Sequence, residues 1–196
     1  MRPWIVTSAV SHAVIGLIFG LASIAIFYGW ATPVEAMVLY LIVMAALVAF
    51  TQARLVTRLG VSGRRWGLAT ALGIALGFVL PELLPSYSPS SEPRTLFHIL
   101  PSALFFGLAC GTAQWVLSHP RTDPRRWIPL SVAGWSLLLI SVAAGAQIIT
   151  RQCLLPVEGA AAWPLWAGLA LASLCGALGG ASYGALTAPA LPAPRA

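Results

Sequence analysis

The chain contains no lysine. Its eleven cationic side chains are all arginine, they face only five acids, and charged residues fill 8% of the 196 positions. A soluble domain carries about a quarter charged residues, so a soluble protein of this composition could not cover its own surface. Hydrophobic residues make up 59% of the chain and the mean hydropathy is +0.87. The bilayer is therefore the expected solvent. Cysteine is scarce too. Cys110, Cys153 and Cys175 form no Cys-x-x-Cys motif, and Cys110 and Cys175 fall inside apolar runs. Neither a disulfide framework nor a metal site is indicated. The basic balance comes without a long basic run or a basic fold motif, so no nucleic-acid partner is expected.

Catalytic and coupling groups are also missing. No Asp, Glu, Lys or Arg falls near the centre of an apolar run, where a proton relay or ion-coupled transporter needs one. There is no His-Glu-x-x-His, no pair of acids within a run and no convincing Ser/His arrangement for nucleophilic catalysis. Most of the glycines lie within apolar runs, and none falls in a phosphate-binding loop pattern. His12, His98 and His119 fall at different depths, which does not suit a pair of axial haem ligands; for His12 a hydrogen bond across helices is expected. The sequence therefore implies no cofactor, no metal and no enzyme.

What is present is six apolar runs, at about 5–28, 34–53, 66–84, 97–117, 128–149 and 163–187. Each is long enough to cross the hydrocarbon core as a helix. Helices are favoured because every backbone hydrogen bond closes within the segment, and the alternating period of a membrane barrel strand is absent. The first run follows a single early arginine with no small-residue cleavage site, which reads as an uncleaved span. Charges then set the orientation. With the N-terminus inside, the inner segments hold Arg2, Arg54, Arg58, Arg64, Arg65, Arg121, Arg125, Arg126 and Arg195 against the single acid Asp123. The outer segments hold Arg94 and Arg151 with Glu35, Glu82, Glu92 and Glu158. This alternation follows the positive-inside rule and predicts six helices with both termini cytoplasmic. The Pro- and Ser-rich stretch 81–95 is then an irregular outer loop, and 189–196 a short C-terminal tail.

The inner ends repeat. "RPWIVTSAVS" at Arg2, "RRWGLATALG" at Arg64 and "RRWIPLSVAG" at Arg125 share a template, with Trp4, Trp66 and Trp127 spaced 62 and 61 residues apart. The returning segments carry Gln52, Gln114 and Tyr183 in matching places; Trp4 to Gln52 and Trp66 to Gln114 are both 48 residues, whereas Trp127 to Tyr183 is 56. The pattern predicts one all-α transmembrane domain over 1–196, built from three two-helix hairpins at about 2–58, 64–119 and 125–188. Repeats with an even number of spans are parallel, so pseudo-three-fold symmetry about the membrane normal is expected. Small-xxx-small pairs at Gly16/Gly20, Gly73/Gly77, Gly107/Gly111, Ser141/Gly145, Gly176/Gly180 and Gly180/Gly184 predict close helix packing.

The stretch "GLACGTAQWVLSHPRTDPRRWIPLSVAGW", residues 107–135, resembles a family of uncharacterised bacterial multi-pass membrane proteins. Such proteins carry a Gly-rich helix ending Gln-Trp-x-x-Leu, a short basic loop, then a Trp and a Gly-Trp; here those residues are Gln114, Trp115, Leu117, Trp127, Gly134 and Trp135. The end "GALGGASYGALTAP" is similar to the final helix of such proteins. The resemblance covers about a quarter of the chain and departs in the loop, where "SHPRTDP" replaces a more uniformly basic run. It implies a multi-pass fold in the bacterial cytoplasmic (inner) membrane and no particular activity.

Two groups of residues are candidate sites. Gln52, Gln114 and Tyr183 are expected at one depth near the cytoplasmic end, as a polar ring around the axis or as helix-to-helix hydrogen bonds. Arg2, Trp4, Arg64, Arg65, Trp66, Arg125, Arg126 and Trp127 are expected to anchor the helices at the inner interface, arginine on anionic headgroups and tryptophan at headgroup level. Specific binding of an anionic lipid by Arg64/Arg65 and Arg125/Arg126 is the sharper form of that expectation. The bilayer, anionic lipids and a membrane protein partner or second copy are the expected partners. A non-enzymatic structural or partner-binding component is the first functional expectation. A substrate-binding subunit or small transporter for a neutral or apolar solute or lipid is the alternative, and a lipid-modifying enzyme is the weakest.

Overall fold

The structure is a computed structural model, and it describes residues 2–82, 96–118, 123–154 and 164–191. Most of the expected outer loop, together with His119, Arg121 and the end of the C-terminal tail, lies outside the described residues. Within them the chain is helical: α1 (Arg2–Phe27), α2 (Pro33–Thr57), α3 (Gly63–Glu82), α4 (Leu96–Ser118), α5 (Pro124–Ile148) and α6 (Leu165–Thr187). A π-helical turn, Ile149–Leu154, extends α5, and a 3-10 turn, Ala188–Ala190, follows α6. Four stretches are long and apolar enough to cross a membrane: Arg2–Phe27, Val38–Thr57, Pro124–Leu154 and Leu165–Ala190; α4 adds a shorter apolar stretch, Ala103–Leu117.

The turns explain where the helices stop. After α1, Trp30 N–H donates to Ala25 O at 2.9 Å and Gly29 N–H to Ile26 O at 3.1 Å, with Gly29 at φ 69°. After α2 the same pattern recurs, with Val61 N–H to Val56 O at 3.1 Å, Gly60 N–H to Thr57 O at 3.0 Å and Gly60 at φ 74°. Both are left-handed glycine caps that satisfy terminal carbonyls. The start of α2 is a reciprocal capping box. Thr32 N–H donates to Glu35 Oε2 at 2.9 Å and Glu35 N–H to Thr32 Oγ1 at 3.2 Å, with Pro33 at the first helical position. Those bonds hold the exposed Glu35 carboxyl below its ordinary range, chiefly through the Thr32 backbone N–H. Asp123 starts α5 in a related way, accepting Arg125 N–H on its side chain at 3.0 Å and Trp127 N–H on its backbone at 2.8 Å.

Each helix packs against its chain neighbour, and α6 closes the ring on α1 in the most extensive contact of all. Small residues make that seam possible. A Cβ added at Gly16 would strike the Ala172 carbonyl, one at Gly176 the His12 carbonyl and one at Gly180 the Ser8 carbonyl. On α3, Gly73 and Gly77 abut Cys110 and Phe106 of α4; on α4, Gly107 and Gly111 abut Val132 and Ser131 of α5. Small faces of this kind let backbones approach in lipid, where no hydrophobic force drives helices together. The surface is inverted relative to a soluble protein. Val6, Leu39 and Ile42 are 60%, 62% and 62% exposed, while Ser8, Ser11, His12, Gln52, Thr70, Gln114, Ser131 and Thr187 are buried.

Candidate functional site: a polar and aromatic core

Helices α3 and α5 begin earlier than the apolar runs do, so the Arg-Trp segments are themselves helical: α3 starts at Gly63 and α5 at Pro124. Helical geometry then fixes where each side chain goes. The arginines Arg2, Arg64, Arg65, Arg125 and Arg126 are exposed. The tryptophans turn the other way. Trp4, Trp66 and Trp127 are 4%, 1% and 0% exposed, which corrects the expectation that they anchor at headgroup level. Adjacent positions on a helix lie on different faces, so an arginine directed outward puts its tryptophan neighbour toward the core.

Inside, these rings meet. Trp4 and Trp66 lie edge to face at 6.2 Å between centroids, and Trp66 and Trp127 at 5.2 Å. Tyr183 of α6 joins them at 6.3 Å from Trp4 and continues to Trp135 at 5.0 Å, which touches Phe106 at 5.0 Å. The aromatic column thus runs from the N-terminal ends of α1, α3 and α5 toward the middle of α4.

Polar groups are threaded through it. Gln52 and Gln114 are both buried, and Gln52 Oε1 accepts from Trp66 Nε1 at 3.0 Å and from Gln114 Nε2 at 3.2 Å. Gln114 Nε2 also donates to Thr70 Oγ1 at 2.9 Å. The network therefore ties α2, α3 and α4 together. On the α1–α6 side, Trp4 Nε1 donates to Thr187 Oγ1 at 2.9 Å, and Thr187 Oγ1 donates to its own helix at Tyr183 O, 2.7 Å. The Tyr183 ring packs on Trp4, which packs on Trp66, the donor to Gln52, while its hydroxyl has no hydrogen-bond partner among the described residues. Gln52, Gln114 and Tyr183 are thus brought to one region of the core.

His12 is the group the sequence described least well. Its Nδ1 lies 2.6 Å from Ser8 O, one turn back in the same helix, which corrects the expectation of a bond across helices. A carbonyl can only accept, so Nδ1 carries the proton. Ser11 Oγ sits 3.3 Å from that nitrogen but donates to Ser8 O at 3.1 Å. With Nδ1 committed as a donor, it cannot act as a base toward Ser11. The other nitrogen, Nε2, faces the core, where the His12 ring meets Trp135 at 5.9 Å and Tyr183 at 6.1 Å.

Several buried atoms around these rings have no hydrogen-bond partner among the described residues: Ser8 Oγ, His12 Nε2, Gln52 Nε2, Ser131 Oγ, Trp127 Nε1, Trp135 Nε1 and the Tyr183 hydroxyl. Each such group left dry costs about 1–3 kcal/mol. The set is rich in N–H donors and carries no charge at neutral pH apart from what His12 could take up. It suits water or a molecule bearing carbonyl or hydroxyl oxygens. No cluster of three His, Cys, Asp or Glu side chains occurs among the described residues.

Sequence spacing singles out Gln52, Gln114 and Tyr183 but not their partners. Thr70 lies four residues after Trp66, and Thr187 four after Tyr183, so each shares a helix face with a core aromatic. That periodicity is the signal that could have found them. Searches of protein families, curated proteins and solved structures find no match to the chain.

Proposed function

We propose that the chain is a non-enzymatic multi-pass protein of the bacterial cytoplasmic membrane, working as a structural or partner-binding component. In this reading all six helices cross the bilayer, both termini face the cytoplasm, and the exposed arginines meet anionic headgroups of the inner leaflet. Three copies of a two-helix hairpin built the bundle. The contacts of Trp66 with Trp4 and with Trp127, residues spaced 62 and 61 positions apart, support that duplication, as does the Gln52–Gln114 bond between positions 62 apart. The resemblance of residues 107–135 to bacterial multi-pass proteins fits the same reading.

The observation that carries the scaffold reading is the aromatic column. Trp66, Trp127, Trp135 and Tyr183 are at most 1% exposed, and large interlocked rings suit a fixed framework better than a conduit that must open. Native mass spectrometry from gentle detergent tests it. Stoichiometric retention of a protein partner or a second copy is the expected result; a monomer that retains a small neutral molecule would overturn it. That outcome would favour the second reading, a binding subunit for a neutral or apolar solute or lipid, for which the unpartnered atoms around His12, Trp135 and Tyr183 are the specific support. Thiol labelling of Ser62→Cys and Ser90→Cys tests the topology. Access to both from the same side would sink the six-span arrangement.

A further inference from the structure

A groove of about 290 Å³ runs between the inner end of α3 and the end of α4, lined by Arg65, Leu68, Val116 and Leu117. Its apolar walls are open: Leu68 is 59% exposed, Val116 53% and Leu117 40%. The aliphatic track continues along α3, where Leu72 and Leu76 follow Leu68 at helical spacing and are also exposed. Residues four apart share a helix face, so the three leucines form one stripe leading away from Arg65 toward the middle of the helix. Lipid tails are expected against such a stripe anywhere on the bundle. The cation at its head is the distinguishing feature.

Arg65 is exposed, and only its backbone N–H is engaged, with Ser62 Oγ at 3.4 Å. Its guanidinium makes no hydrogen bond or ion pair with the described residues. Arg64 beside it is exposed as well. The described acid in this inner group, Asp123, already caps α5 by accepting Arg125 N–H. Positive charge at the mouth of the groove is therefore uncompensated. A guanidinium offers a planar fork of donors that matches phosphate oxygens.

We propose that this groove binds one anionic phospholipid, with its phosphate on Arg65 and an acyl chain along Leu68, Val116 and Leu117. The chemistry selects the occupant. A cation at one end and purely aliphatic walls beyond it match an amphiphile with one anionic head. An extended protein segment would need partners for its backbone polar groups, which these walls do not offer, and an apolar helix would leave the Arg65 charge unmatched. The proposal rests on the reading that the Arg-bearing helix ends face the inner leaflet.

The test is native mass spectrometry of the full chain in neutral detergent, titrated with dioleoyl phosphatidylglycerol, dioleoyl phosphatidylcholine or inorganic phosphate. One phosphatidylglycerol is expected to be retained in preference to phosphatidylcholine. Arg65→Gln should weaken that retention about five-fold, the factor one arginine contributes at an anionic surface. Arg2→Gln, which removes an exposed arginine that does not line the groove, should leave it unchanged. Leu68→Trp, which fills the groove without touching charge, should weaken it too. Equal retention of the two lipids, or wild-type retention by Arg65→Gln, overturns the proposal; displacement of phosphatidylglycerol by equimolar inorganic phosphate overturns the acyl-chain part. Labelling of Ser62→Cys in vesicles separates the two failures. Inside-only access with no lipid preference sinks the groove alone, whereas outside access sinks the topology whatever the lipid result.

Discussion

The two sides of the bundle core hold their helices by different means. On the side of α2, α3 and α4, the polar groups are joined: Gln52 accepts from Trp66 and Gln114, and Gln114 reaches Thr70. On the side of α1, α5 and α6 the Trp4–Thr187 bond is flanked by more unpartnered polar atoms, those of Ser8, His12, Ser131, Trp135 and Tyr183, against Gln52 Nε2 on the other side, and glycine meets backbone carbonyls at Gly16, Gly176 and Gly180. Interhelical hydrogen bonds in lipid contribute little each, because the separated helices also find partners for their polar groups. Backbone-to-backbone packing tolerates no added atom. The glycine seam should therefore dominate stability, and the unpartnered atoms beside it are free for another task.

The largest effect is expected at the seam. Gly176→Val drives a side chain into the His12 carbonyl and should destabilise the fold by about 3 kcal/mol, the upper range for overpacking, measured by unfolding in mixed micelles. A loss below about 1 kcal/mol, under the usual range for that kind of clash, would mean the two backbones stand further apart. Next comes the amide network. Gln52→Leu strands the Trp66 N–H and removes one acceptor from Gln114, for about 1–2 kcal/mol. Should this variant prove as damaging as Gly176→Val, the ranking of the two sides would be reversed.

Tyr183→Phe probes the other half of the comparison. It deletes a hydroxyl with no aligned partner, so stability should change by no more than about 0.5 kcal/mol, as for removal of a group that loses no bond. Loss of a copurifying neutral molecule without loss of stability would mark the unpartnered atoms as a binding site. A fall in stability of more than about 1 kcal/mol would instead show that the hydroxyl takes part in a bonded network.

How far these features were legible in the sequence follows from the solvent. Apolar runs located the helices because length is the constraint that lipid imposes. The small-xxx-small pairs marked close seams, since Gly176 and Gly180 serve no other purpose in a helix. Facing was harder. In lipid the outer surface is as apolar as the core, so apolar periodicity does not say which face turns inward. Trp4, Trp66 and Trp127 were assigned to the interface by type, whereas their burial depends on which neighbours the ring of helices supplies. Thr187 as partner to Trp4, 183 positions away, is a product of the α1–α6 closure and has no local signature. Gln52 and Gln114 were legible because a glutamine inside an apolar run must find a partner.

The smallest effect belongs outside the bilayer and calibrates the rest. The Thr32–Glu35 capping box is also a cluster of polar bonds, but in water. Its carboxyl titrates below the ordinary value, so its contribution is fully present above that ordinary value and is lost as pH falls through the depressed one. Lowering the pH from neutral should therefore leave stability flat until the acid range and then reduce it slightly. Glu35→Gln should remove that acid-range step while changing little at neutral pH, where its amide oxygen can still accept from Thr32. A Gln52→Leu loss no larger than that of Thr32→Ala at neutral pH would mean the buried amides gain nothing from their dry surroundings. In that case the stability of both sides would rest on close packing alone.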